Sequence, residues 1–347
     1  MIREVDIPNL IDLIKSNRLS KDYIKNNWDD GYFVETSSAR ASVSILMNYL
    51  LNNRFLKDNY QMILMPKWIC NCFTQTIRNY TNPVLSYNTD VKMVLVYHQY
   101  GFPQDMDEIS DFCDRKKIMI IEDCAHAISG SYKNTKLGRF GYASVYSFSK
   151  FFPSIWGGGL FTNDEKLYTW SSNPGNIVNK KLFSLFAHIS KYQINKNSLN
   201  LKISNKKKDY WNYLNTLLYP GFKDMQKNNS LVKTIVNQYI KKDILKKRVE
   251  NYNFILKYFK NTQLFSKLET ENIYPYVIPL LEEEKKLSKL NIFLNENGIK
   301  TGIYHFDVNR NIFNPDFKRC IWLPIHEKVS NDNLLFICEA VKKIILN

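Results

Sequence analysis

The chain predicts an α/β fold with a mostly parallel sheet, followed by a small α+β domain, on three observations. Short apolar runs alternate with helix-spaced segments of about ten residues through the first half, the pattern of βαβ units. Those runs are apolar at odd and even positions alike, as strands are when helices cover both faces of a sheet. Near residue 241 the order changes to a long amphipathic helix and then alternating strands and helices. A chain of 347 residues accommodates one large domain or two smaller ones. We place the division between 1–240 and 241–347.

The elements follow in order. Residues 1–30 read as a short amphipathic helix and a polar connection, with Trp28 and Tyr32 as packing anchors. Ala41–Asn52 carries apolar residues at 43, 46, 47, 50 and 51, which is helical spacing. The small polar residues before it suit an N-cap. Such a start is either an ordinary capped helix or a phosphate site built on outward-pointing N–H groups. Gln61–Pro66, Val84–Tyr87, Lys92–Tyr97 and Ile118–Ile121 read as strands. Helices separate them over 71–79 and 107–117, the second capped by Asp105 or Asp107 with Ile109, Phe112 and Cys113 inward.

Ala143–Phe148 and Gly159–Thr162 continue the sheet. Gly157-Gly158-Gly159 permits positive φ and close backbone approach, though a tight turn explains it equally. Residues 165–230 form a helix-bearing insertion. Its basic, aromatic stretch suits a solvated face over an apolar patch, or contact with a membrane surface. Lys241–Lys260 is an amphipathic helix with Ile244, Leu245, Val249, Tyr252, Ile255, Leu256 and Phe259 inward. Tyr274–Leu281 is a strand, Glu282–Asn297 a helix stopped by Gly298, and Ile299–Tyr304 a strand. A last helix enters at Ser330.

Composition narrows the function classes. A net charge of +15 invites a nucleic-acid reading, but Lys, Asn and Ile are abundant throughout and no nucleic-acid-binding motif accompanies the charge. A basic surface suits an anionic small molecule such as a sugar nucleotide. The six cysteines are scattered, and Cys70-Asn71-Cys72 has neither CxxC spacing nor a following His pair. We expect reduced thiols and no metal. Acids at positions 4, 6 and 12 argue against a signal peptide, and no apolar run reaches the ~20 residues of a membrane span. The expectation is a cytoplasmic protein.

Chemistry concentrates between Met119 and Asp164. One apolar run ends in Glu122 and Asp123, and a second delivers Ser147 and Lys150. Open α/β sheets place their reactive groups at the carboxyl ends of their strands. A lysine and a carboxylate so presented suit pyridoxal 5′-phosphate (PLP), which bonds to a lysine and needs a carboxylate to keep its ring nitrogen protonated. Each residue also has a plainer reading. Lys150 can be a surface lysine, Asp123 a turn cap and His126 a hydrogen-bonded core residue. His98 divides between the two, whereas His305 and His326 read as structural.

The same residues resemble the DegT/StrS family of fold-type-I PLP enzymes, the sugar aminotransferases. SSARASVSIL resembles its SGT/SGR-x-AL segment, MILMPKWIC its PAYTF strand end, and VYHQYGFPQDMDEI its VHxYGxPxD segment. IIEDCAHAISGSYKNTKLGRFGYASVYSFSK resembles its IEDxAQ/H through FSF-x-K block. KKRVENYNFILKYF, GIKTGIY and WLPIHEKVSNDNL follow in family order, so only about 165–230 stands outside the likeness.

The resemblance implies a seven-stranded sheet, Lys150 as the lysine that holds PLP and moves the substrate proton, and Asp123 beside the pyridinium nitrogen. It further implies His126 at the 3′-oxygen face, Ala39, Arg40 and Ser147 around the phosphate, and Trp68 or Cys70 where an aromatic ring usually stacks. Many members have SFxxxK and an acid before the glycine pair. Here SFSK and three bare glycines stand, as in a subgroup with S-x-x-K, a proline (here Pro153) and a Gly pair. The implied activity is amino transfer, from glutamate, to a keto group of a nucleotide-activated sugar, in a homodimer. A PLP enzyme with another reaction or acceptor, and a non-catalytic paralogue, are the alternatives.

Overall fold

The computed structural model describes residues 28–56, 60–152, 154, 157–173, 244–268, 270 and 272–346, with residues 2, 233, 236, 237 and 240. The expected N-terminal helix, Pro153 and the insertion beyond residue 173 lie outside these residues.

Among the described residues, nine strands precede the helix at Ile244: β1 (Tyr32–Thr36), β2 (Met62–Leu64), β3 (Asn82–Val84), β4 (Val91–Tyr97), β5 (Met119–Asp123), β6 (Ser131–Tyr132), β7 (Thr135–Lys136), β8 (Ala143–Ser147) and β9 (Gly158–Thr162). Seven of them form one sheet in the order β1-β9-β8-β5-β4-β2-β3, and β6 and β7 pair separately as a hairpin. β9 runs antiparallel to both its neighbours, and every other pairing in the large sheet is parallel. The sheet is therefore mostly parallel and seven-stranded, as expected. Its central strands are buried on both faces, β4 at six of seven positions, which is why their sequences show no alternation.

The α-helices among the described residues include α1 (Ala39–Asn52), α2 (Asn71–Ile77), α3 (Met106–Lys116), α4 (Glu165–Ser172), α5 (Ile244–Tyr258), α6 (Glu284–Glu296) and α7 (Asn331–Val341). Ser38 caps α1 by accepting from the Ala41 N–H, Asp105 caps α3 through Glu108, and Ser330 caps α7 through Asn333. β10 (Val277–Leu281), β11 (Ile303–Asp307) and β12 (Phe317–Pro324) make an antiparallel three-stranded sheet with β12 in the middle. One apolar cluster runs from Trp28, Phe148 and Phe151 on the large sheet to Tyr252, Val277 and Leu323 of the C-terminal part.

Several boundaries differ from expectation. β1 and β12 are not among the strands expected from the sequence, and β3 begins two residues earlier than Val84. Pro83 sits in β3 because this is the sheet's edge, where a missing N–H breaks no ladder. β11 starts at Ile303, not Ile299, because Ile299 closes the end of α6 through Leu294 and Lys300 bonds to Ile2. On α5 the inward face holds Arg248 and Asn251 beside Ile244, Tyr252 and Ile255, and Val249 is only half-buried. Arg248 donates to Tyr276 O, and Asn251 to the carbonyls of Ile325 and His326.

Candidate active site

The carboxyl ends of the parallel strands bring the chemistry together. Asp123 ends β5, buried to 3% exposure, with Oδ1 accepting from Ala125 N–H at 2.9 Å. Burial lifts its carboxyl to about 6, against the lowering pull of that N–H, His98 and Lys150. Lys150 stands in the 3-10 turn Phe148–Lys150 that follows β8 directly. Its Nζ lies 5.6 Å from the centre of the Tyr276 ring. Its charge reaches Asp123, His126 and Cys70 alike. The acid and the amine thus share one site.

His126 is buried between two tyrosines. Tyr276 stacks on its ring at 4.3 Å and 12°, and Tyr97 Oη lies 2.5 Å from Nδ1. Burial first, then Lys150, pushes the imidazole well below its ordinary range, so it is neutral at neutral pH. Tyr97 comes from β4 in register with Asp123, and Tyr276 is held through Tyr100 O and Arg248. Neither tyrosine was singled out from the sequence. Each is an aromatic in an apolar run, with no local sign of a site role.

The start of α1 is locked to the lysine turn by the glycines. Gly157 has φ +114°, donates to Ser37 O at 2.7 Å and accepts from Phe148 N–H at 2.8 Å. A Cβ on Gly158 would meet Ser38 C at 2.5 Å, Tyr146 O at 2.5 Å and Ala39 N at 2.7 Å. The glycine tract therefore serves close backbone approach, and Ser147 lies opposite Gly158 in the ladder. Ala39 is buried, Arg40 and Ser147 half-buried. Ser37 Oγ is buried without a hydrogen-bond partner among the described residues.

Trp68 and Cys70 part company. Trp68, 43% exposed, stacks on His305 of β11 at 3.7 Å and 7°. Cys70 instead faces the lysine, and its thiol is lowered to about 5 chiefly by a hydrogen bond from Cys72, with Lys150 contributing. His98 is structural. Its Nδ1 accepts from Gln104 N–H, so Nε2 carries the proton and donates to Glu122 at 3.0 Å. Glu122 also accepts from the N–H groups of Gly138, Phe140 and Gly141. His98, Glu122 and Cys124 lie close enough to enclose a metal, yet both Glu122 oxygens are taken by these donors, which makes the group a hydrogen-bonded clamp.

PLP can be tested against these residues. A buried carboxyl lifted to about 6 is matched by a cationic ring nitrogen. An orphaned buried hydroxyl beside a capped, 14-residue helix start is matched by a phosphate. A lysine on the adjoining turn supplies the amine. The residues fit the cofactor.

Comparison with known proteins gives the same direction. The model of the DegT/DnrJ/EryC1/StrS aminotransferase family matches residues 75–218. A GDP-perosamine synthase of Escherichia coli O157:H7 is 38% identical over 79 residues, 22% of each chain. The chain thus spans under a quarter of the length of the first curated relatives it matches. Among solved structures, Helicobacter pylori PseC, an aminotransferase involved in the biosynthesis of pseudoaminic acid, superposes with a TM-score of 0.68 at 15% identity. That match covers 97% of this chain and 95% of PseC. Spr1654 of Streptococcus pneumoniae, in its PLP form, gives a TM-score of 0.63 at 15% identity, covering 98% of this chain and 96% of that one. The whole-length likeness establishes the fold these structures share, and the match to the DegT/DnrJ/EryC1/StrS aminotransferase family lies within residues 75–218.

Proposed function

We propose that the protein is a PLP-dependent aminotransferase that moves an amino group from glutamate to a keto group of a nucleotide-activated sugar. The observation that carries this reading is the meeting of Asp123 and Lys150 at one end of the sheet, with Lys150's charge acting on the buried carboxylate. Relatives named for nucleotide-sugar amination and a neighbour solved with PLP support it.

Bound PLP supplies an electron sink for breaking the donor's Cα–H bond. Asp123 would hold a carboxylate for the ring nitrogen, Ser37, Ala39, Arg40 and Ser147 would receive the phosphate, and neutral His126 would serve the 3′-oxygen. Lys150 Nζ takes the proton from the donor's Cα and returns it. Cys70 would stand beside the ring. The reading includes a homodimer, the division at 240/241, a cytoplasmic setting, and a role in polysaccharide or natural-product biosynthesis. Among the described residues no helix is long and apolar enough to cross a membrane.

Adding PLP to the purified protein is expected to raise a near-visible absorbance band that Lys150→Ala lacks. Glutamate with a panel of ketosugar nucleotides is expected to yield 2-oxoglutarate and aminated sugar in equal amounts. No band with PLP, or full transamination by Lys150→Ala, would refute the reading. Sugar deoxygenation without 2-oxoglutarate would assign dehydration instead.

A further inference from the structure

Cys70 and Cys72 flank the start of α2, and their Sγ atoms lie 2.7 Å apart, inside the contact distance of two sulfurs. Cys70 precedes the helix with extended backbone, φ −57° and ψ 126°, and Cys72 lies in its first turn, which brings both side chains to one side. Cys70 is exposed and Cys72 half-exposed, whereas Cys113, Cys124, Cys320 and Cys338 are buried. The proposed transamination uses neither thiol as a reacting group.

We propose that Cys70 and Cys72 form a reversible redox-modification site, closed to an intramolecular disulfide by a low-molecular-weight disulfide such as oxidised glutathione. The lowered Cys70 thiol supplies the thiolate for attack, and the Cys72 thiol keeps its proton until the second step. Cys70 sulfur attacks one sulfur of the oxidant, whose other half leaves as thiolate and takes up the proton released by Cys70. Cys72 then loses its proton and attacks Cys70 sulfur, expelling the second half as thiol. Two protein thiols are oxidised by two electrons, and one small disulfide is reduced to two small thiols. Closure removes an anion from beside Lys150, so the cofactor site carries a charge set by redox state.

The test uses the full chain incubated with oxidised glutathione, then quenched and denatured. Of six thiols, four are expected to remain titratable, the intact mass falls by two hydrogens, and the peptide map places the bridge between residues 70 and 72. Dithiothreitol restores all six. Cys72→Ser is expected to retain one glutathionyl group on Cys70, and Cys70→Ser to retain none. Six thiols surviving in the wild type, a lasting glutathionyl adduct on wild-type Cys70, or oxidation mapped to the other cysteines would each overturn the proposal.

Discussion

Replacing Asp123 by Asn separates what this carboxylate costs the unloaded chain from what it does for a bound cofactor. Burial is the dominant influence and lifts the group from 3.8 to about 6. At about 1.4 kcal/mol per pH unit, ionising it inside the folded chain costs about 3 kcal/mol. The folded form holds this proton more tightly than the unfolded chain. The group therefore favours folding fully below pH 3.8, and that contribution is lost as pH rises through about 6. Asn cannot ionise and keeps an oxygen for the Ala125 N–H. Without PLP, the variant is expected to match wild type near about pH 4 and to exceed it by about 1–3 kcal/mol near neutrality in urea denaturation. With PLP at about a hundred times its Kd, wild type gains about 2.7 kcal/mol, which offsets most or all of that gap, and Asn offers the ring nitrogen no charge. An unloaded variant no more stable than wild type at neutral pH, or a difference that ignores pH, would refute the reasoning.

Three further outcomes follow from the geometry. Gly158→Ala drives a methyl into the backbone of Ser38 and Ala39, so it is expected to cost about 1–3 kcal/mol and weaken PLP binding, read by urea denaturation and absorbance titration. Glu122→Gln turns an N–H₂ toward buried backbone N–H groups of the 138–141 loop and is expected to cost about 3 kcal/mol or more, with a loss under about 1 kcal/mol refuting the clamp. Tyr97→Phe removes the hydroxyl at His126 Nδ1, and is expected to cost about 1–2 kcal/mol and to move the imidazole resonances in the NMR spectrum.

The legible parts of the molecule were those governed by local rules. The apolar runs of β5 and β8, the caps at Ser38, Asp105 and Ser330, and the stop at Gly298 are properties of short stretches. β1 escaped because it touches the sheet through β9 alone, so only Val34 and Thr36 are buried and the rest stays mixed in polarity. β12 escaped because Lys318 and Arg319 lie exposed in its first half, although the strand is central to its sheet. Arg248 and Asn251 show the limit of apolar counting, since their burial is licensed by carbonyls from distant segments. At the site, strand ends carrying an acid and an amine were visible in the sequence. The stacking of Tyr276 on His126, and the turning of Trp68 toward His305, depend on tertiary placement.

The reversed strand β9 has a consequence for how the protein comes into being. It wedges between β8, just before it in the chain, and β1, more than a hundred residues earlier, and Gly157, the residue leading into it, fastens the lysine turn to the start of α1. Tyr276, the ring over His126, arrives still later in translation. A nascent chain or a collapsed intermediate therefore contains every residue of the pocket's early half without containing the pocket. Capture of a cofactor becomes a late event that draws only on the completed fold and then holds it there by mass action.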